Sequence, residues 1–350
     1  MNTVFFNEYI QTSPKFMTDF TPWTLFVDTG IISVLLLLGK LMRVKIRFIQ
    51  KLFIPPSLLA GFMGLALGPH GFGIIPLSTQ TGTYAGILIA FIFGALPLTS
   101  QKAAKGDADN IGSMWAYSQA GMLLQWAFGG LLGLLVLNRI WPLNPAFGIT
   151  MPSGYCGGHG TAAAIGQAFS QFGYDEILTL AMTAATFGIV AAVIIGLIII
   201  KWGTKKGHTS FLANYDDLPH ELQTGLLPGD KRESMGKSSC SSISIDSLTF
   251  NLIIVTVIAL GGYCISKTVS HFMPGFELPV FSCAFVVGMF IKKIFDKTKT
   301  SDYLCPQTIG HISGTFTDFL VAFGIASIKI SVVIEYICLL YTSDAADEAR

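Results

Sequence analysis

Apolar residues run along this chain in blocks long enough to cross a lipid hydrocarbon core, and shorter polar stretches separate the blocks. A helix needs about 20 apolar residues for that crossing. The pattern predicts spanning helices near 23–42, 52–68, 82–99, 113–138, 177–200, 248–268, 277–291 and 312–334. The second opens with Pro55-Pro56, which the first turn of a helix tolerates. Segment 202–247 is different. It is polar, ends in the serine-rich run KSSCSSISIDS, and reads as a flexible linker between a first set of five spans, residues 23–201, and a second set of three, residues 248–336.

Composition places the chain among polytopic, all-α membrane proteins. It is 51% hydrophobic with only 12% charged residues, against about 25% charged in soluble domains. Mean hydropathy is +0.60. The net charge of +1 gives no pointer to a partner, and no nucleic-acid partner is expected. The six cysteines, Cys156, Cys240, Cys264, Cys283, Cys305 and Cys338, have no CxxC spacing and fall mostly in or beside apolar runs. Free thiols packed as small hydrophobes are expected. The N-terminus lacks a basic stretch followed by an apolar core, so the first span is expected to serve as the targeting signal.

Charge placement fixes an orientation. Most of the 22 basic residues follow the first, third, fifth and seventh spans, in alternate loops. By the positive-inside rule those loops, including 202–247, are cytoplasmic, and residues 1–22 are extracytoplasmic. A complete crossing at 145–168 would put the basic linker outside and break the pattern. Parity holds if 145–168 enters and leaves on the outer side as a re-entrant hairpin. A long extracellular loop is the other reading, and the low polarity between Asn144 and Phe169 counts against it.

That segment holds the densest chemistry in the chain. Met151 to Phe169 reads MPSGYCGGHGTAAAIGQAF, with glycines at 154, 157, 158, 160 and 166. Broken backbone at membrane depth survives only inside protein or along a wet cavity. A glycine-rich break before Ala162-Ala163-Ala164 is therefore a candidate binding site. The N–H groups of a helix starting near Thr161 would favour an anionic group.

The second span, FIPPSLLAGFMG from Phe53, echoes the seventh, ELPVFSCAFVVG from Glu277. Ile54-Pro55, Ala60 and Gly64 align with Leu278-Pro279, Ala284 and Gly288, and Phe93-Gly94 aligns with Phe323-Gly324. Five spans precede the linker, so the second copy would begin on the opposite side. That is an inverted repeat, the usual build of secondary transporters, whose discontinuous helices are short like these two. The second copy stops after three spans. From Ile337 the chain turns abruptly to ICLLYTSDAADEAR, which resembles a translated library adapter. Residues 337–350 are expected to be non-native and the second repeat truncated. An in-frame genomic read ending at Arg350 would refute this.

These residues carry a resemblance. The chain resembles the bacterial sodium/glutamate symporter family in the motif Ile54-Pro55, SGYCGGHGTAAA at 153–164, AMTAATFG at 181–188, FELPVFSCAFVVG at 276–288 and GIASIKI at 324–330. Together these cover about residues 50–335. The resemblance implies sodium-coupled symport of L-glutamate across the bacterial inner membrane. It implies two inverted five-helix repeats, each with a re-entrant hairpin, in a homodimer with a moving transport unit. The family's second hairpin has no counterpart here.

Transport needs a selective site, not bond-making. For the substrate carboxylates, the candidate cradle is Gly157, Gly158, His159, Gly160 and Thr161, with Ser153 and Thr161 hydroxyls as donors. Glycines allow close backbone approach, or they permit tight helix packing, the reading preferred for Gly166. His159 either donates to a carboxylate or bonds a backbone carbonyl at the break. Sodium, a hard cation, takes oxygen ligands. Carbonyls near Gly154 and the hydroxyls of Thr183 and Thr186 are candidates, unless each hydroxyl bonds its own i−4 carbonyl. No cofactor is expected beyond Na+ as coupling ion. Three embedded charges stand out: Asp28 near the outer interface, and Asp318 and Lys329, expected to share one face of the last span. Lys329 either pairs with a substrate carboxylate or snorkels. Glutamate carries one net negative charge, so only a second sodium lets the potential drive uptake, at about 2.3 kcal/mol per 100 mV. Other readings are a symporter for another small anion such as a dicarboxylate, or a non-transporting membrane receptor. An intramembrane enzyme fits least, since no Ser/His or paired-Asp constellation lies on adjacent spans.

Overall fold

The computed structural model describes residues 20–51, 54–100, 108–140, 143–170, 172–206, 224–228, 231, 234–241, 243–273 and 278–330. Most of segment 1–22, much of linker 202–247 and all of tail 337–350 lie outside the described residues. Among the described residues every regular element is helical.

Helix α1, Pro22–Lys45, starts on a capping box: Thr21 and Thr24 exchange side chain to backbone N–H bonds at 3.2 Å, with Pro22 in the first turn. Arg43 and Lys45 sit in its last turn, where the helix dipole favours cations. A short helix, α2, covers Arg47–Lys51. Helix α3, Pro56–Leu67, begins on Pro55 and closes at Gly68. Its 12 residues reach about 18 Å at 1.5 Å per residue, short of a hydrocarbon core. Helix α4 is Thr81–Thr99. Helix α5, Ala108–Leu131, runs on through a π-helical turn, Leu132–Leu137, to Asn138–Ile140. Then come α6, Phe147–Ser170, and α7, Glu176–Lys205. Helix α8, Ser247–Phe272, is capped by Asp246, which accepts from the Leu248 and Thr249 N–H groups. Helix α9 is Val280–Thr298, and α10 is Pro306–Ala326.

Five helical stretches among the described residues are long and apolar enough to cross a membrane: Pro22–Lys45, Thr81–Thr99, Gly112–Ile140, Ser247–Phe272 and Pro306–Ala326. Pro56–Leu67 is a shorter apolar helix, and Glu176–Gly188 is an apolar stretch of α7. The molecule is a multi-pass membrane protein. On α1, residues Asp28, Ile32, Leu35 and Gly39 face inward at helical spacing, while Phe26, Val34, Leu37 and Leu41 are exposed. The apolar side fits lipid and the one embedded charge faces protein.

The last helix departs from the expected span 312–334. It starts at Pro306, whose fixed φ suits a first turn, and stops at Ala326. Lys329 therefore lies beyond the helix that carries Asp318, and the expected shared face does not form.

The chain divides into two compact units. The first comprises residues 1–84, 126–232 and 321–350, and the second 85–125 and 233–320. In the first unit, Ala146, Ile177 and Leu180 form a core cluster beside Phe147, Ile149 and Phe169. Glycines set the spacing of α6 and α7. A Cβ on Gly154 would meet the Ala185 nitrogen at 2.4 Å, and one on Gly166 the Leu178 Cα at 2.4 Å. Helices in lipid gain stability from this close packing. At Gly188 the Tyr155 ring occupies the same kind of gap. In the second unit, Ala95, Leu98, Val255, Ile258 and Ile309 pack together, and Ala90, Ala259 and Ala284 form a smaller cluster. Lys292 donates to the Pro97 and Ser100 carbonyls at 2.9 and 2.6 Å, closing the end of α4.

In the first unit Gly61 and Gly64 of α3 pack against Ile325 and Ala326 of α10. In the second unit Gly288 of α9 packs against Gly94 and Pro97 of α4. The described cysteines Cys156, Cys240, Cys264, Cys283 and Cys305 are thiols outside any disulfide.

Candidate functional site

Helix α6 is two arms joined at Gly158, whose φ of 65° and ψ of −160° lie where side-chain-bearing residues are strained. The break thus falls at the predicted glycine run. The second arm begins directly after Gly158, ahead of the expected start near Thr161. Gly157 is exposed, and Gly158, Gly160 and Thr161 are half-buried. Thr161 folds back so that its hydroxyl crowds Gly157, leaving no room there for a Cβ.

Side chains around the break are used more fully than the sequence suggested. Ser153 is fully buried and donates its hydroxyl to the Thr150 carbonyl at 2.7 Å, so that proton is not offered to a ligand. Thr183 and Thr186 donate to their own i−4 carbonyls, Thr179 and Met182, at 2.7 and 3.0 Å. Each keeps oxygen lone pairs. Thr183 lines a cavity of about 320 Å³ with Thr150, Met151, Tyr155 and Phe187. His159 is 2% exposed, and its Nε2 lies 2.9 Å from Thr186 Oγ1. At Nε2 the partner is thus a side-chain hydroxyl and not the backbone carbonyl that was one of the two alternatives. Gly154 touches the backbone of α7, and Gly166 likewise serves packing.

Lys329 is exposed past the end of α10. Its charge is felt by His70 in the loop after α3. Burial first, and Lys329 second, hold the His70 imidazole below its ordinary value.

A second polar group has partners that went unseen in the sequence. Asp28, one of the embedded charges the sequence singled out, is fully buried on α1. Its Oδ1 accepts the Ser78 N–H at 2.9 Å, and its Oδ2 accepts the Ser78 hydroxyl and, at 3.0 Å, the Tyr84 hydroxyl. Tyr84 stands edge-on to Phe323, with ring centroids 5.2 Å apart. The next residue, Gly324, packs on Met182 and near the His159 Cβ. The polar run Ser78-Thr79-Gln80-Thr81 before α4 was the available signal.

The sodium/glutamate symporter family model matches residues 26–340, nearly the whole described chain. The chain belongs to the sodium/glutamate symporter family. It is 26% identical over 271 residues to the sodium/glutamate symporter of Escherichia coli (strain K12), covering 73% of this chain and 60% of that protein. The match to the sodium/glutamate symporter of Shigella flexneri has the same identity and coverage. The chain thus spans 60% of the length of these curated relatives. No solved structure matches it significantly. The broken α6 and its contacts with α7 join two of the motifs that carried the resemblance, GGHGTA and TAATFG.

Proposed function

We propose that this chain is part of a secondary transporter that moves L-glutamate with sodium across the bacterial cytoplasmic membrane by alternating access. Family membership over residues 26–340 supports a transporter rather than an enzyme. The single observation that carries the site is the backbone break at Gly158, with His159 buried behind it. A helical arm starting there turns its positive end toward the break, which suits a carboxylate. Gly157, Gly158, Gly160 and Thr161 form the proposed carboxylate cradle. Sodium would take oxygens from the carbonyls around Gly154 and the hydroxyls of Thr183 and Thr186. Ser153 and exposed Lys329 are left out of this site.

The same reading takes 145–168 as a re-entrant hairpin and α3–α4 with α9–α10 as inverted copies. Close packing at both Gly64 and Gly288 supports the second point. An extracytoplasmic N-terminus, a cytoplasmic linker and a homodimer complete the proposal. At least two sodium ions per glutamate are expected, since that is what couples uptake to the membrane potential.

Uptake of radiolabelled L-glutamate into proteoliposomes tests this, with the complete open reading frame that contains this chain. Uptake that needs an inward sodium gradient is the expected result. A folded protein that shows none, while moving another dicarboxylate, would transfer the reading to that anion.

A further inference from the structure

Proton bookkeeping at His159 assigns its role. The Thr186 hydroxyl has one hydrogen, and it is donated to the Met182 carbonyl at 3.0 Å. We assign the tautomer that keeps this bond: Thr186 Oγ1 accepts from His159, and Nε2 carries the hydrogen of the 2.9 Å contact. In the neutral ring Nδ1 is then a bare acceptor. It is buried and has no partner among the described residues. A protonated ring would leave a buried, unpartnered charge, which costs more. Buried polar atoms are nearly always satisfied, and an exception calls for a missing partner.

We propose that the partner of His159 Nδ1 is the ammonium group of the substrate, which makes His159 the residue that separates amino acids from plain dicarboxylates. This rests on the transport reading above. It reverses one of the two roles the sequence left open, since a lone pair repels the carboxylate that His159 would have bound. Sodium is a poorer match, because hard cations take oxygen ligands rather than imidazole. An ammonium brings the N–H donors that Nδ1 lacks. The location agrees: His159 opens the helical arm proposed to hold the carboxylates. One amino acid could then span the arm's N-terminus and the imidazole.

Glutarate, which has both carboxylates and no amine, is the probe. In proteoliposomes carrying the complete protein, labelled L-glutamate uptake is competed with unlabelled L-glutamate and with glutarate. The wild type should prefer glutamate. His159→Gln keeps a donor for Thr186 but has no atom in place of Nδ1. Its preference for glutamate over glutarate should fall on the order of 10- to 100-fold, through weaker glutamate binding with glutarate unchanged. His159→Asn places an amide oxygen near the Nδ1 position and should keep more of the preference. Equal weakening of both ligands by His159→Gln, or an unchanged preference, would overturn the proposal and leave the transport reading standing. Absence of any sodium-dependent glutamate uptake in the wild type would remove both. If the variants do not fold, nitrogen-15 spectra of histidine-labelled wild type decide. One unprotonated Nδ1 resonance should move with L-glutamate and not with glutarate. No glutamate-specific movement would overturn the assignment.

Discussion

Tyr84 gives its hydroxyl to Asp28 at 3.0 Å while its ring rests edge-on against Phe323, 5.2 Å between centroids. One side chain thus ties the buried charge of α1 to the end of α10. Asp28 depends on three donors, two of them from Ser78. Hydrogen bonds to a charged group are worth about 1.5–3 kcal/mol each. Tyr84→Phe should therefore lower the thermal midpoint of the purified protein modestly while keeping the ring contact. Asp28→Ala should lower it further, because the Tyr84 hydroxyl and the Ser78 N–H lose their buried acceptor. Equal midpoints for wild type and Asp28→Ala would show that the cluster holds nothing in place.

Gly158 and Gly166 should respond differently to alanine. At Gly158 a Cβ meets open space, but φ is +65°. With ψ at −160° the region is essentially confined to glycine, and the cost is local backbone strain of about 1–3 kcal/mol. At Gly166 the backbone is helical, but a Cβ would sit 2.4 Å from the Leu178 Cα. Gly166→Ala must push α6 from α7 and should lower the thermal midpoint strongly. Gly158→Ala should leave most of the midpoint intact and reduce glutamate uptake. Circular dichroism melts beside uptake assays separate the two effects, and the reverse ranking would refute this division of roles.

The contrast between these glycines explains how much was legible in the sequence. Apolar runs set the helices because lipid demands them, and the helix break was readable because glycine at 157, 158 and 160 has few other uses in an apolar stretch. Helix ends were less legible. The start of α10 at Pro306 was missed because Gln307, Thr308 and His311 look like loop by hydropathy, although a helix carries them easily. The partners of Asp28 lay out of reach, since Ser78 is 50 residues away in sequence. Hydroxyl geometry was equally hidden. Spacing puts Thr183 and Thr186 one turn apart, but only coordinates reveal that both protons go to the helix and that one oxygen receives His159.

His70 gives a pH signature outside the membrane spans. Its folded-state value is held below the ordinary 6.5, by burial first and then by Lys329. Between the two values the unfolded chain binds more protons, so stability rises with pH across that window. The contribution is complete above about 6.5 and is lost as pH falls through the folded value. Because the group is only half-buried, solvent screening keeps the effect small. His70→Gln should flatten the fall in thermal midpoint between neutral and mildly acidic pH, and Lys329→Gln should flatten part of it. A wild-type midpoint that stays level across that range would contradict the assignment.

Thr186 offers a test of the contact that fixes the imidazole. Thr186→Val keeps shape and removes the oxygen, so the His159 Nε2–H is left buried without an acceptor. An orphaned donor costs about 1–3 kcal/mol, and the ring is free to exchange its hydrogen to Nδ1. Both the thermal midpoint and glutamate uptake should fall. Thr186→Ser restores the hydroxyl and should recover both. Thr183→Val leaves His159 untouched. If Thr183 serves sodium through the 320 Å³ cavity, its loss should raise the sodium concentration needed for half-maximal uptake with little change in midpoint. A Thr183→Val protein with unaltered sodium dependence would take that hydroxyl out of the sodium site and leave the role of Thr186 intact.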